Sequence, residues 1–321
     1  MSDIDDPRFR QAAQRVLKAL AADPAVLAAG LFGSVPEGRT WEGSDLDVLA
    51  VVSGDDPALQ RAMELREGDV RVHLQYLSGA AFHRVVRESR GGDFARVVGT
   101  VRLAFCRDGE IERLRAEQAS FPESNRRLRA LAALSQLKYA LDRAEKLIYL
   151  EEPLGAFPIL GGAFGELARL KLYLRGRYPG RDPIGDALTS EPGLIAQFND
   201  FCDGVFPLGE RLDRAVEYLH ETAEELIPRA AQDLFEFLAG ASGPMSVEEI
   251  EEHERYQGLP IVFPELLEWL CDLGFLDRGT RPIRPLATGA APAQPGDPAK
   301  ASAQPGNVLK ECLYTLASGR S

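Results

Sequence analysis

The residues best suited to chemistry lie in one stretch, LFGSVPEGRTWEGSDLDVLAVV, residues 31–52. An apolar run ends in Gly33-Ser34, a polar loop follows, and Asp45 and Asp47 then alternate with Leu46 and Val48. In a strand, residues i and i+2 face the same way. The two carboxylates therefore point together while Leu46 and Val48 pack into a core. Carboxylates held that close repel each other, and a cation between them relieves the repulsion. Oxygen ligands of this kind suit Mg²⁺, which keeps several waters and takes its other ligands from substrate phosphates. Glycine lets a phosphate approach the backbone, and N–H groups together with the Ser34 hydroxyl can hold it. One segment thus offers a metal pair, Asp45 and Asp47, and a phosphate cradle, Gly33 and Ser34. The plainer alternative is a strand with a solvated edge.

The surrounding pattern supplies elements to position these residues. Asp6 and Pro7 form an N-cap and first-turn pair, so residues 7–22 read as an amphipathic helix. Residues 26–32 and 45–52 read as neighbouring strands, and 57–67 as a helix. DVRVHLQYL, 69–77, alternates polar and apolar residues as a strand does. Ser78 caps a helix reaching about residue 88, and TVRLAFC, 100–106, is a further strand closed by the turn signal Arg107-Asp108-Gly109. The expected result is a mixed-sheet domain over residues 1–120. From Ser124 the pattern becomes helical. Leu134, Leu137, Leu141, Ala144 and Ile148 share one face at 3.6-residue spacing, and 161–176, 193–202 and 207–238 continue as helices, giving a helical domain over 121–240. GASGP, 240–244, is a linker signal. Ser246 with Glu249 makes a capping box. Residues 244–286 then read as helix, helix and short hairpin, which resembles a winged helix. Residues 287–307 have the composition of a disordered tail, and 307–317 read as a short terminal helix. The overall expectation is an α+β fold.

Phe32-Gly33-Ser34, ten intervening residues and Asp45-Leu46-Asp47 together resemble the nucleotidyltransferase superfamily that includes DNA polymerase β and the antibiotic nucleotidyltransferases. The resemblance covers roughly residues 10–115. It implies a metal-dependent transfer of a nucleoside monophosphate from an NTP, with ATP favoured, to an acceptor hydroxyl. Asp45 and Asp47 would carry Mg²⁺, and two-metal sites of this type clamp the attacking and leaving oxygens. Gly33 and Ser34 would hold the triphosphate. The resemblance also implies a third carboxylate on a later strand. The polar face of 69–75 presents Asp69, Arg71, His73 and Gln75, so Asp69 is assigned, with His73 as an alternative metal ligand or base. A glycosyltransferase Asp-x-Asp is a rival metal-diphosphate motif, but it has no need of the upstream Gly-Ser.

Other polar clusters carry no motif. Lys138, Asp142, Glu145 and Lys146 have the i,i+4 spacing of surface ion pairs. The functional alternative puts Lys138 or Lys146 on the triphosphate and makes Glu145 the base for the acceptor hydroxyl. Arg169, Lys171 and Arg175 read similarly. Arg214 and His220, with five residues between them, loosely resemble the Arg-to-His spacing of HEPN domains. The second winged-helix-like helix, FPELLEWLCDLGF, is apolar and acidic, with basic residues only in the wing at Arg278, Arg281 and Arg284. It reads as a packing or homodimer-forming module, with Trp269 in its core.

Composition narrows the partners. The chain has 321 residues and a formal net charge of −12, which disfavours nucleic acid as a partner and mildly favours a small cationic acceptor such as an aminoglycoside. A protein or RNA acceptor stays open. Cys106, Cys202, Cys271 and Cys312 form no CxxC pair, which fits a reducing, cytoplasmic setting. No signal peptide or membrane-spanning run is expected. A second function class also stands: a catalytically weak nucleotide-binding module with a regulatory or partner-binding role.

Overall fold

The computed structural model describes residues 4–282 and 310–317. The fold is α+β: a mixed five-stranded sheet with helices, then a helical region ending in a two-stranded sheet. The chain divides into two compact units, Met1–Arg129 with Gly176–Tyr178, and Ala130–Arg175 with Pro179–Ser321.

The first unit opens with α1 (Pro7–Ala22), where the Asp6 side chain accepts from the Arg8 backbone N–H and Pro7 fills the first helical position. The sheet comprises β1 (Val26–Phe32), β2 (Leu46–Val52), β3 (Gln60–Glu67), β4 (Val70–Ser78) and β5 (Arg102–Cys106) in the order β3-β4-β2-β1-β5. β2 and β4 are parallel, and the other neighbours are antiparallel. The helices are α2 (Gly79–Ser89), α3 (Asp93–Thr100) and α4 (Gly109–Ala119). Asp108, expected in a turn after β5, instead caps α4 through two backbone N–H groups.

β2 explains how the sheet is fixed. Leu46, Val48, Ala50 and Val52 pack into a core with Phe9, Ala13 and Leu17 of α1. Leu49 and Val51 pack on the other face with Phe82 of α2, Val98 of α3 and Ile111 of α4. A central strand covered on both faces reads as a continuous apolar run. Each buried Leu, Val, Ile or Phe side chain contributes about 1.5–3 kcal/mol. A slip of one residue would drive Asp45 and Asp47 onto the α1 face, so the apolar positions hold the carboxylates where they are.

Residues 60–67 form a strand and not the expected helix. Gln, Ala, Met, Leu and Glu favour helix, but Gly68, at φ +60°, turns the chain so that Gln60–Glu67 pairs with β4 along its whole length. Cross-strand pairing outweighs a propensity difference of a few tenths of a kcal/mol per residue.

The second unit contains most of α5 (Glu123–Tyr149), then α6 (Pro153–Leu174), α7 (Pro183–Ala187), α8 (Pro192–Asp203), α9 (Leu208–Ala230), α10 (Gln232–Gly240), α11 (Val247–Glu251) and α12 (Phe263–Asp272). Leu134, Leu137, Leu141 and Ala144 are fully buried, as their spacing requires. The expected single helix over 207–238 breaks at Ala231, shortly after Pro228, which removes one backbone donor and crowds the preceding turn. The Ser246–Glu249 capping box forms with both of its hydrogen bonds. β6 (Leu276–Pro282) pairs with β7 (Lys310–Leu316). The expected terminal helix at 307–317 is therefore a strand over its described part, and it closes the hairpin expected within 244–286. Ladder bonds to β6, with Tyr314 also bridging Met245, replace intrahelical ones. The 287–307 tail and Arg284 lie outside the described residues.

Candidate functional site

The sheet face shared by Asp45, Asp47, Leu49 and Val51 changes character along its length. Parallel pairing sets Asp47 beside His73 and Leu49 beside Gln75. Antiparallel pairing sets Glu64 beside His73 and Arg66 beside Arg71. Paired residues project to the same side. The half under α2–α4 is apolar, and the half at the start of β2 gathers Asp45, Asp47, Arg71, His73 and Glu64.

Within this polar half the contacts are close. His73 Nδ1 stands 3.5 Å from Asp47 Oδ1, and His73 Nε2 stands 3.6 Å from Asp45 Oδ2 and 3.7 Å from Glu64 Oε1. Arg71 Nε approaches Asp45 Oδ1 to 2.8 Å, yet that buried oxygen accepts no aligned hydrogen bond. Arg71 is 56% exposed, and an exposed ion pair is worth about 0–1 kcal/mol. Its hold on Asp45 is too weak to exclude a divalent cation. Arg71 also reaches the Gly43 carbonyl at 3.5 Å, which ties the preceding loop to β4.

Gly33 follows β1 with φ +77°, and a Cβ there would run into Asp47 Oδ2. Only glycine adopts this backbone readily, so its lack of a side chain keeps an Asp47 oxygen against the β1 turn. Ser34 begins that turn, its carbonyl accepting from the Arg39 backbone N–H at 3.0 Å. Trp41, in the same connection, is 72% exposed.

Asp45, Asp47, Gly33 and Ser34 therefore come together at the end of β1 and the start of β2. Asp69 does not join them. It is exposed and lies just before β4, four residues ahead of His73, a run of about 13 Å along a strand. The β4 position beside Asp47 is held by His73. Glu64, the carboxylate that does reach this cluster, is hidden from the sequence reading because 57–67 has helical composition. The only local signal is the turn at Gly68-Asp69, because QRAMELRE does not alternate strictly and its composition favours helix.

The residues fit a divalent cation by donor chemistry, with two carboxylates on one strand face and a buried Asp45 oxygen that lacks a hydrogen bond. Among the described residues no group of three or more His, Cys, Asp or Glu side chains is placed to hold a metal ion, so any cation here would rest on Asp45 and Asp47 with the remaining ligands from water and phosphate.

Lys138 lies in the second unit, where it pairs with Asp142 and stands 5.8 Å from the centre of the Trp269 ring. Glu145 Oε1 is 3.1 Å from His220 Nε2. Lys171 and Arg175 both pair with Glu191, and Arg169 pairs with Glu166. The wing arginines are likewise engaged, Arg278 by Glu268 and Arg281 by Glu249 at 3.0 Å. Hydrogen bonds from the Ser246 backbone, followed by Arg281, hold the Glu249 carboxyl below its ordinary range. Trp269 is 7% exposed, a core residue of its module.

No protein-family model matches the sequence, and no curated protein matches it. Among solved structures, the chain is similar to a nucleotidyltransferase-like protein from Exiguobacterium sibiricum 255-15, with a TM-score of 0.67 and 16% identity. The match covers 95% of this chain and 98% of that one. At this identity the likeness concerns the fold, which is that of a nucleotidyltransferase-like protein. Among the described residues no helix is long and apolar enough to cross a membrane.

Proposed function

We propose that the chain is a metal-dependent nucleotidyltransferase that moves a nucleoside monophosphate from an NTP, ATP favoured, to an acceptor hydroxyl. The observation that carries this reading is the placement of Asp45 and Asp47 at the start of β2 with an Asp47 oxygen against Gly33, on a nucleotidyltransferase-like fold. Asp45 and Asp47 would hold Mg²⁺, which when bound neutralises triphosphate charge and orients the α-phosphate. The Gly33-Ser34 turn offers backbone N–H groups and a hydroxyl to the phosphates. The acceptor oxygen forms a bond to the α-phosphorus, the α–β anhydride bond breaks, pyrophosphate departs, and the hydroxyl proton passes to a base. The protein's share is orientation and preorganised charge. The net charge of −12 favours a small cationic, hydroxylated acceptor over nucleic acid.

The test is calorimetric titration of ATP and GTP, with and without Mg²⁺, into the wild type and Asp47→Ala, followed by an acceptor screen read by pyrophosphate release. The expected result is Mg²⁺-dependent binding that the variant loses while keeping its fold. Nucleotide binding indifferent to both Mg²⁺ and Asp47→Ala would overturn the assignment.

One observation favours a second reading. His73 holds the β4 position beside Asp47, and Asp69 stands apart from it. A site with two Asp residues and no third on β4 suits a nucleotide-binding module with weak transfer. Tight Mg²⁺-dependent ATP binding with no pyrophosphate release across the acceptor screen would select this reading.

A further inference from the structure

We infer that the outer edge of β3 is a self-complementary interface. Two copies of the chain pair their Gln60–Glu67 strands antiparallel about a two-fold axis at Glu64, which joins their sheets into one. This contact belongs to the first unit and stands apart from the nucleotide chemistry proposed above.

The edge is open. β3 ends the sheet and pairs with β4 in unbroken register over its 8 residues. The Ser78 backbone N–H donates to the Leu59 carbonyl at 3.1 Å, and Ser78 stands opposite Leu59 where that register is extended. Opposite pairs in an antiparallel ladder alternate between bonded and non-bonded. Arg61, Met63, Leu65 and Glu67 therefore bond to β4, and Ala62, Glu64 and Arg66 turn their N–H and C=O groups outward. Among the described residues no hydrogen bond reaches those outward groups. The opposite edge of the sheet is defended: β5 has 5 residues, and a register shift interrupts its pairing with β1. Short length, bulges, Pro and Lys are the usual guards against strand addition, and Gln60–Glu67 carries none of them.

The edge also matches itself. With Glu64 of both copies on the axis, each Arg61 lies opposite a Glu67 and each Met63 opposite a Leu65. The bonded pairs are then Glu64 with Glu64 and Ala62 with Arg66, so outward N–H and C=O groups meet one another. A slip of one residue would set outward groups against inward ones. Met63 and Leu65 are 40% and 41% exposed and stand beside the core residues Leu74 and Val72, so their pairing carries that apolar row across the axis. Glu67, held by Arg15 of α1 at 2.8 Å, gains Arg61 of the second copy. The opposing cost falls on the axis, where like charges directly opposite weaken pairing. Glu64 is 85% exposed, and Arg66 of the second copy is its diagonal neighbour, which offsets part of that cost. One strand pair buries little surface, so the association is weak and concentration-dependent.

Pairing of this kind aligns the two acidic clusters. Asp47 lies beside His73, and His73 beside Glu64. The joined sheet carries these three residues from each copy in one row on one face. The two Asp47 positions open to the same side, five strand spacings or about 24 Å apart.

The test is sedimentation equilibrium of the full-length chain over a range of concentrations, with a urea titration of each variant as the control for folding. The expected result is a monomer–dimer equilibrium in the wild type. Ala62→Pro removes an N–H that faces away from β4, so it should keep the fold and abolish the dimer. Arg61→Glu should weaken association about tenfold or more, and adding Glu67→Arg to it should restore the dimer. Glu64→Gln should tighten it, because the like charges on the axis are gone. A wild type that stays monomeric at the highest concentration reached would overturn the inference. A dimer left intact by both Ala62→Pro and Arg61→Glu would also overturn it, by placing the contact on another surface. Failure of the charge exchange to restore a dimer lost in Arg61→Glu would overturn the two-fold register and leave the edge to a different strand.

Discussion

Asp47 Oδ2 fills the space that a side chain at Gly33 would need. The backbone at Gly33 is left-handed, φ +77°, so alanine there meets two obstacles at once. The left-handed conformation costs about 1–2 kcal/mol for a residue with a Cβ, and the Cβ must push Asp47 aside. We expect Gly33→Ala to stay folded, with stability reduced by about 1–2 kcal/mol in a urea titration. Displacing a carboxylate by about an ångström can cost on the order of 100-fold in turnover, so under the proposed reading Mg²⁺-dependent turnover should fall far more than stability does. Equal turnover in variant and wild type would detach Gly33 from the site.

Ser78 stands at the opposite end of β4 and is fully buried. Its hydroxyl accepts from the Ala81 backbone N–H at 3.0 Å and donates to the Asp56 carbonyl. It therefore ends the strand, caps α2 and ties down the connection into β3. Ser78→Ala should cost about 1–2 kcal/mol, read by chemical denaturation. Under the proposed reading, Mg²⁺–ATP affinity should be unchanged, because Asp45 and Asp47 lie at the far end of β2. A large loss of affinity would mean that this junction also sets the site's geometry.

Trp41 offers an optical reporter. It is 72% exposed, whereas Trp269 is 7% exposed. Trp41 sits four residues before Asp45, with its backbone N–H held by the Ser44 hydroxyl at 3.0 Å. Under the proposed reading, Mg²⁺–ATP binding should quench the solvent-exposed emission, and Trp41→Phe should abolish the response without removing calorimetric binding. A quench that survives Trp41→Phe would place the nucleotide nearer to Trp269.

The parts of the fold written in burial were legible in the sequence. β1 and β2 are visible as continuous apolar runs, β4 and the inward face of α5 as apolar side chains at a regular period, and Asp45 and Asp47 stand out against that pattern. What stayed hidden was written in pairing. β3 is exposed along nearly its whole length, so no buried stripe marks it, and its composition favours helix. Its identity depends on β4, which no local window contains. β7 depends in the same way on β6, from which it is separated by a long stretch rich in Ala, Pro and Gly. The misreading of β3 carried into the site. It concealed Glu64 and made Asp69 look like the available carboxylate, although the register puts His73 beside Asp47.

In the second unit, Tyr256 and Asp233 make a pH-dependent anchor. Tyr256 is 2% exposed, and its hydroxyl donates to Asp233 Oδ1 at 3.2 Å. Arg255 grips both Asp233 oxygens, at 2.8 and 2.6 Å. Burial, followed by the charge of Asp233, pushes the Tyr256 phenol well above its ordinary value near 10. The folded protein thus keeps a proton that the unfolded chain releases above about pH 10. By linkage, the stability tied to this group is whole below about pH 10 and drains away as pH rises beyond it. Wild-type stability should therefore decline in alkaline urea titrations, and Tyr256→Phe should flatten that part of the profile. Asp233→Ala should cost about 2–3 kcal/mol at neutral pH. This is below the cost of breaking a fully buried pair, because Arg255 is 40% exposed and can be partly rehydrated. If Tyr256→Phe keeps the full alkaline slope, the proton in question belongs to another group. Tyr314, raised by burial and by its hydrogen bond to Glu268, would be the next residue to change.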